Sequence, residues 1–230
     1  MKKALLMAFA ILFLTSIVSA GDLAISIAPN NPSLSLNHGQ SESKTFQINH
    51  DNDFCSISCS WQLLENNNEI VDSENFNLAS NQNYNLPLLF VAPTKSEAKQ
   101  ESGTIEYVLG IQCYEVKEWY NACDGEDTET NTISLNYDLT QQDKEARNYL
   151  RPKLDSLKSV LQDVESKEFN INSKFNSLPK NILVSDLKQT FSQYKSFYES
   201  LKGNYENINL AFGNLDFINA RNSFNSNWES

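Results

Sequence analysis

The sequence predicts an all-β immunoglobulin-like sandwich over residues 21–140, followed by an all-α helical hairpin or small bundle over residues 141–230. Short runs of alternating apolar and polar residues, separated by turns, fill the first part of the chain, which also holds all four cysteines. An apolar repeat with helical spacing fills the second part. The period changes near Leu139, and we therefore expect two structurally different domains that meet there.

Alternation marks six segments of the first part as strands. Every second residue is apolar, as in a strand with one face in a core and the other in solvent. Six to eight such strands in about 120 residues favour a sandwich of two sheets. The apolar positions are Leu23, Ile25 and Ile27; Phe46 and Ile48; Ile57, Cys59, Trp61 and Leu63; Tyr84, Leu86, Leu88 and Phe90; Ile105, Tyr107, Leu109, Ile111 and Cys113; and Ile133, Leu135, Tyr137 and Leu139.

The second part carries apolar residues three and four positions apart, which is the spacing of one helix face. Pro179 separates two such runs, and a shorter third run follows Gly213. Packing within one chain gives a hairpin or small bundle, whereas the heptads also allow a coiled coil between chains and hence self-association. The runs are Leu150, Leu154, Leu157, Leu161 and Val164; Leu187, Phe191, Tyr194, Tyr198, Leu201, Tyr205 and Ile208; and Phe217, Ala220, Phe224 and Trp228.

The N-terminus has the three parts of a secretory signal peptide, residues 1–20. Lys2 and Lys3 precede an apolar run over 4–18, and small residues before Ala20 suit cleavage after that position. Retention of the segment as an anchor is the alternative. The apolar run is short for a membrane span, and no second run follows, so we expect a secreted or extracytoplasmic chain without a span after cleavage.

Export predicts that the cysteines form disulfides, because an even number of cysteines in an oxidising compartment usually pairs. An immunoglobulin-like strand order puts Cys55 and Cys59 at the B–C turn and the start of strand C, and Cys113 and Cys123 at the end of strand F and in the F–G loop. All four would then cluster at one end. The local pairs Cys55–Cys59 and Cys113–Cys123 close shorter loops, while Cys59–Cys113 with Cys55–Cys123 joins neighbouring strands, and both pairings stay open.

The net charge of the chain limits the kinds of molecule that it can bind. After removal of residues 1–20 the chain keeps 16 basic and 29 acidic residues, a net charge of −13. Such a chain repels phosphate backbones and anionic lipid, so we expect no nucleic-acid partner. We expect a protein or a glycan at the cell envelope instead.

Two acidic loops form a candidate calcium site. The predicted topology brings the B–C and F–G loops together, and calcium prefers carboxylate and carbonyl oxygens. No other cofactor is expected, and solvated loops are the simpler interpretation. The candidate ligands are Asp51, Asp53, Asp124, Glu126 and Asp127.

Aromatic residues in the F–G loop form a candidate partner-binding site. Trp119 and Tyr120 could stack on a sugar or anchor a protein, or simply close the end of the sandwich. The chain has only two histidines, His38 and His50, and seven glycines, and it shows no nucleophile, zinc or phosphate-loop motif. We therefore expect no enzymatic activity.

The stretch 22–53 contains a first strand ending in Pro29, a glycine turn at Gly39, and a strand that ends in Asn49 before a polar turn. With a later strand ending near Pro93, residues 22–140 resemble secreted bacterial and archaeal adhesion-type immunoglobulin-like domains, such as the CARDB-like group. The cysteines, the long F–G loop and the helical tail depart from that pattern. The resemblance implies a non-catalytic cell-surface module for adhesion or spacing. It transfers no functional residue.

These observations favour an exported, non-catalytic interaction or adhesion protein of the cell surface. The alternative is an exported carbohydrate- or small-ligand-binding module that uses the acidic loops, with or without calcium.

Overall fold

The computed structural model describes residues 23–50, 55–66, 69–80, 82–116, 125–177 and 182–228, without the side chains of 176 and 182–184. The predicted signal peptide lies outside these residues. In the described part of the chain, strands predominate in the first half and two long helices and a shorter third helix form the second, as the alternating and helical periods predict. The strands are β1 (Ile25–Ala28), β2 (Ser33–Asn37), β3 (Ser41–His50), β4 (Ile57–Glu65), β5 (Glu69–Leu78), β6 (Tyr84–Val91), β7 (Gly103–Glu115) and β8 (Glu126–Asp138).

The strands form two sheets, which confirms the predicted sandwich. One sheet has the order β1-β3-β6 and the other β2-β8-β7-β4-β5. Side chains from both sheets meet in one core, where the rings of Phe90 and Tyr107 lie 5.3 Å apart and those of Phe76 and Tyr84 stack at 4.0 Å. Strands β4 and β7, the predicted C and F, are antiparallel neighbours.

Each edge strand has a feature that discourages pairing with another chain. Strands β1 and β2 have only four and five residues, and β6 contains Pro87, which has no N–H to donate. Strand β5 is longer, but its exposed first half carries Glu69, Asp72 and Glu74. The sheet edges are therefore poor candidates for association by strand addition.

The chain divides into two compact units that alternate along the sequence. The sandwich unit takes the described residues up to Leu36, Ser41–Val91 and Thr104–Asn136. The helical unit takes Asn37–Gln40, Ala92–Gly103 and the residues from Tyr137 onward. Two short segments of the first half thus belong with the helices. The helices are α1 (Lys95–Ala98), α2 (Gln141–Ser177), α3 (Ile182–Gly213) and α4 (Phe217–Trp228).

The helical unit packs its apolar repeat around α4. One core cluster joins α2, α3 and α4, and a second joins the start of α2 to the turn before α4. The sequence spacing predicted that the helices pack against each other within a single chain. The half of the hairpin that lies next to α4 packs in this way. The first cluster is built on Leu150, Leu154, Ile208, Ala220 and Phe224, and the second on Leu139, Ala146, Leu215 and Phe217.

Helix α2 begins at Gln141, about two and a half turns before the apolar repeat at Leu150, because Thr140 and Asp143 cap it. The hydroxyl of Thr140 accepts a 3.1 Å hydrogen bond from the backbone N–H of Asp143 and donates at 2.7 Å to its carboxylate. Lys95 of α1 donates to the same carboxylate at 2.6 Å. The Asp143 side chain is almost fully buried, so it needs these partners.

Replacing Asp143 by alanine is expected to lower the free energy of unfolding by about 1–3 kcal/mol, because it removes a buried acceptor with charged and hydroxyl donors. Asp143→Asn keeps the shape and serves as the matched control, with a smaller loss. Urea denaturation followed by circular dichroism measures both variants. A loss in Asp143→Ala no greater than in Asp143→Asn would show that the charge and not the cap matters.

Candidate functional site

A disulfide joins Cys59 of β4 to Cys113 of β7 within one sheet. The two residues lie directly opposite each other in the antiparallel register, with Cα atoms 4.0 Å apart. The local pairing Cys55–Cys59, which shorter loops favoured, is therefore wrong. Strand register, which the spacing along the chain does not reveal, decides the pairing.

Cys55 lies just before β4, buried and also disulfide-bonded. Cys123, the fourth cysteine, lies outside the described residues. The three described cysteines all belong to the same end of the sandwich, since Cys59 is near the start of β4 and Cys113 near the end of β7.

Glu115 and Gly125 pair with each other across the base of the F–G loop. The backbone N–H of Glu115 donates to the carbonyl of Gly125 at 2.9 Å, and the Glu115 carboxylate accepts from the N–H of Gly125 at 2.8 Å. A Cβ at Gly125 would lie 2.9 Å from the Cβ of Leu23, so the position demands glycine. The buried Glu115 therefore has a structural role that alternation alone did not indicate.

Two of the five candidate calcium ligands fall in the described residues. Asp127 accepts hydrogen bonds from the backbone of Ile25 at 2.7 Å and of Thr128 at 2.8 Å, and Glu126 accepts from Gln112 at 2.8 Å. Both carboxylates thus have partners from the chain itself. Asp51, Asp53 and Asp124 lie outside the described residues, so the calcium site stays a hypothesis. Within the described residues, no group of three or more His, Cys, Asp or Glu side chains is placed to hold a metal ion.

The proposed partner-binding residues Trp119 and Tyr120 also lie outside the described residues. Both histidines lie against backbone carbonyl groups. His38 contacts the carbonyl oxygens of Pro93 at 2.9 Å and Glu101 at 3.0 Å, and His50 lies 3.3 Å from that of Ala79. His38 thus connects its turn to the segments at Pro93 and Glu101, and His50 connects the end of β3 to the residue after β5.

The distal half of the helical hairpin, residues 162–177 of α2 and 185–197 of α3, has few buried side chains. Phe175 and Phe191 contact each other with ring centroids 5.3 Å apart, and Lys195 pairs with Glu168 at 3.0 Å. The hydrogen bond that Lys195 donates to Glu168 raises the pKa of Lys195. These contacts hold the two helices together but leave their outer faces uncovered.

An apolar face of this hairpin is open to solvent. We define the open face as Val160, Ile171, Leu187, Tyr194 and Phe197, which are 54%, 40%, 54%, 46% and 63% exposed. Leu187 and Tyr194 belong to the repeat that predicted buried positions along α3. Further along the same repeat, Tyr198 and Ile208 are buried, and burial raises the pKa of Tyr198. The repeat is therefore covered at one end and open at the other.

The open face continues the surface that α4 covers. Helix α4 fills the groove between α2 and α3, where Asn204 donates to Asn227 at 3.2 Å. Heptad steps lead from Asn204 to Phe197 on α3, and from Leu157 through Val164 to Ile171 on α2. A cavity of about 450 Å³ marks the end of α4, lined by Pro152, Lys153, Ser156, Leu157, Val160, Phe224 and Trp228. Helix α4 has only 12 residues, so it does not cover the groove along the distal half of the hairpin.

Among the described residues, no helix has both the length and the apolar character that a membrane crossing needs.

No protein-family model matches the chain, and neither does any curated protein. Solved structures resemble about half of it. A PapD-like domain of human CEP192 has 11% identity and a TM-score of 0.34, covering 53% of this chain and 89% of its own. A CARDB domain from Pyrococcus furiosus, solved with di-metal ions, has 14% identity and a TM-score of 0.31, covering 52% and 94%. The periplasmic chaperone SfaE has 8% identity and a TM-score of 0.34, covering 51% and 58%.

The CARDB-like resemblance stated from the sequence thus recurs among solved structures, over a similar share of the chain. None of these similarities assigns a function to this chain.

Proposed function

We propose that this chain is an exported, non-catalytic interaction protein of the cell surface, and that two copies associate through the open face of the helical hairpin. The supporting observation is the uncovered part of the α3 repeat. Exposed apolar patches of this kind mark interaction surfaces in soluble proteins. The open face offers apolar side chains from two adjacent helices, which is the surface that a helical partner fills.

We expect the partner to be a second copy of the chain, because its hairpin can cover the open face with two further helices. Two hairpins that meet through their open faces form a four-helix bundle, in which each apolar stripe is covered by its counterpart. The aromatic residues Tyr194 and Phe197 would then be covered in the interface, where large aromatic side chains contribute most.

The charge distribution also favours contact between tails. Residues 21–140 contain four lysines and eighteen acidic residues, a net charge of −14. The distal segments 162–177 and 185–197 contain four lysines and four acidic residues, a net charge of zero. Like charges therefore keep two sandwiches apart, whereas two distal hairpins approach without net repulsion.

The test is the mass of residues 21–230 in solution. Sedimentation equilibrium over a wide range of concentration is expected to show a reversible dimer. Phe197→Glu places a charge on the open face and is expected to give a monomer with unchanged helicity. Phe169→Glu is the matched control, because Phe169 is 77% exposed but lies two residues, about 200°, around α2 from Ile171.

A monomer at every concentration would contradict self-association. Equal weakening by Phe169→Glu and Phe197→Glu would contradict the choice of face.

A further inference from the structure

The outer face of the five-stranded sheet consists largely of uncharged polar side chains. Alternation directs the odd-numbered residues of β4 and β7 into the core and the even-numbered ones outward. The register places Ser58 opposite Tyr114, Ser60 opposite Gln112 and Gln62 opposite Gly110. On the other side of β4, Asn77 and Asn75 lie opposite Ser58 and Ser60. Hydroxyl and amide groups thus cover a surface that spans three strands.

This composition contrasts with the rest of the sandwich. Residues 21–140 contain eighteen acidic residues, but on this face of β7 and β8 they include Glu106 toward one end and Glu126, which accepts a hydrogen bond from Gln112. Solvation alone does not require a sheet face to avoid lysine and glutamate, which are mostly exposed in folded proteins. The uncharged side chains around the centre of the face favour an uncharged ligand.

A depression at the centre of the face has a volume of about 210 Å³. Its lining combines hydroxyls, amides and the edge of one aliphatic side chain. Among the described residues, the side chains of Ser60, Gln62 and Thr128 make no hydrogen bond within the chain, so their donors and acceptors face outward. The lining side chains around Gly110 are Ser60, Gln62, Leu64, Gln112 and Thr128.

Gly110 leaves this depression because it has no side chain, yet the fold does not require glycine at this position. Its φ is not positive, and a Cβ built there would meet no atom within 4 Å. Glycine inside a strand weakens it and often marks a point where a ligand approaches closely. The space above Gly110 opens outward, so a ligand can approach the backbone closely at this point.

Tyr114 provides an aromatic surface beside the depression. It lies on the same face as Gln112, two residues away, and is 45% exposed. An aromatic ring with neighbouring hydroxyl and amide groups suits a sugar ring, whose C–H face stacks while its hydroxyls both donate and accept hydrogen bonds. The depression is smaller than the roughly 300–1,000 Å³ of a pocket for a whole drug-sized ligand, so it suits one ring of a chain that lies across the face.

From these observations we infer that the outer face of β5, β4, β7 and β8 binds a neutral polysaccharide, with one sugar ring above Gly110 and the next toward Tyr114. This surface is defined by other residues than the candidate calcium ligands and Trp119. It is also independent of association through the helical tail.

Affinity electrophoresis of residues 21–230 tests the inference, with soluble hydroxyethyl cellulose, galactomannan, xylan and dextran in separate native gels. The wild-type chain is expected to be retarded by at least one of them. Gly110→Val fills the depression and is expected to weaken this retardation at least tenfold while keeping the melting temperature, because valine favours a strand and meets no atom there. Gln62→Ala is expected to weaken it as well.

Thr132→Val is the matched control, because Thr132 lies on the same face of β8 as Thr128 but outside the depression. It is expected to leave the retardation unchanged. Retardation by none of the four polysaccharides would overturn the inference, as would equal retardation of wild type and Gly110→Val. A drop in melting temperature for Gly110→Val would show that the fold itself requires the glycine.

Discussion

Replacing Trp61 by alanine is expected to lower the free energy of unfolding by about 3–5 kcal/mol, as large core truncations do. Trp61 is 3% exposed and belongs to the cluster shared by the two sheets. It lies opposite Ile111 on a strand of the five-stranded sheet that is paired on both sides, and the neighbouring strands restrict collapse of the cavity. Guanidinium denaturation followed by circular dichroism measures the change.

Trp61→Phe is the control that separates volume from polarity. The indole Nε1 is buried, and it has no hydrogen-bond partner among the described residues, so phenylalanine loses packing but no hydrogen bond. We expect a loss of about 1–2 kcal/mol for this variant, well below that for alanine. A loss under about 1 kcal/mol in Trp61→Ala would show that β4 has been assigned the wrong inward face.

Removing the Cys59–Cys113 disulfide by double replacement with alanine is expected to lower the free energy of unfolding by about 4 kcal/mol. The two cysteines are 54 positions apart, so the crosslink restricts a long loop of the unfolded chain. Cys113 is also fully buried in the core, which adds a packing loss. The same denaturation experiment under non-reducing conditions gives the value.

The single variants Cys59→Ala and Cys113→Ala provide the control. Each breaks the bond by itself, so the second replacement adds only the loss of one buried sulfur. If each single variant gave half the effect of the double, the bond would not be the source. A double variant within about 1 kcal/mol of wild type would mean that the crosslink adds little to the stability of the sheet.

Which residues point into the core follows from the sequence. Alternation through Cys59, Trp61 and Leu63 assigned the inner face of β4, and all three are buried. The spacing of Leu150 and Leu154 assigned the inner face of α2 in the same way. A strand repeats every two residues and a helix every 3.6, so the pattern of one segment is enough to orient it.

Which segments meet is decided only in three dimensions. The opposition of Cys59 and Cys113 depends on the register between β4 and β7, which neither segment specifies alone. The depression at Gly110 appears only when Gln62 and Thr128 of neighbouring strands surround it. A sequence window contains neither neighbour, so it cannot distinguish this glycine from one in a turn.

Within the single helix α3, the apolar repeat also separates what the sequence determines from what the tertiary structure decides. From Leu187 to Ile208 its spacing is unbroken, and the sequence by itself determined that these residues share a face. Tertiary structure decided that Tyr198 and Ile208 are buried while Leu187 and Tyr194 are exposed. The physical reason is that a helical period belongs to one segment, whereas burial needs a second surface, and α4 ends before it reaches the distal half.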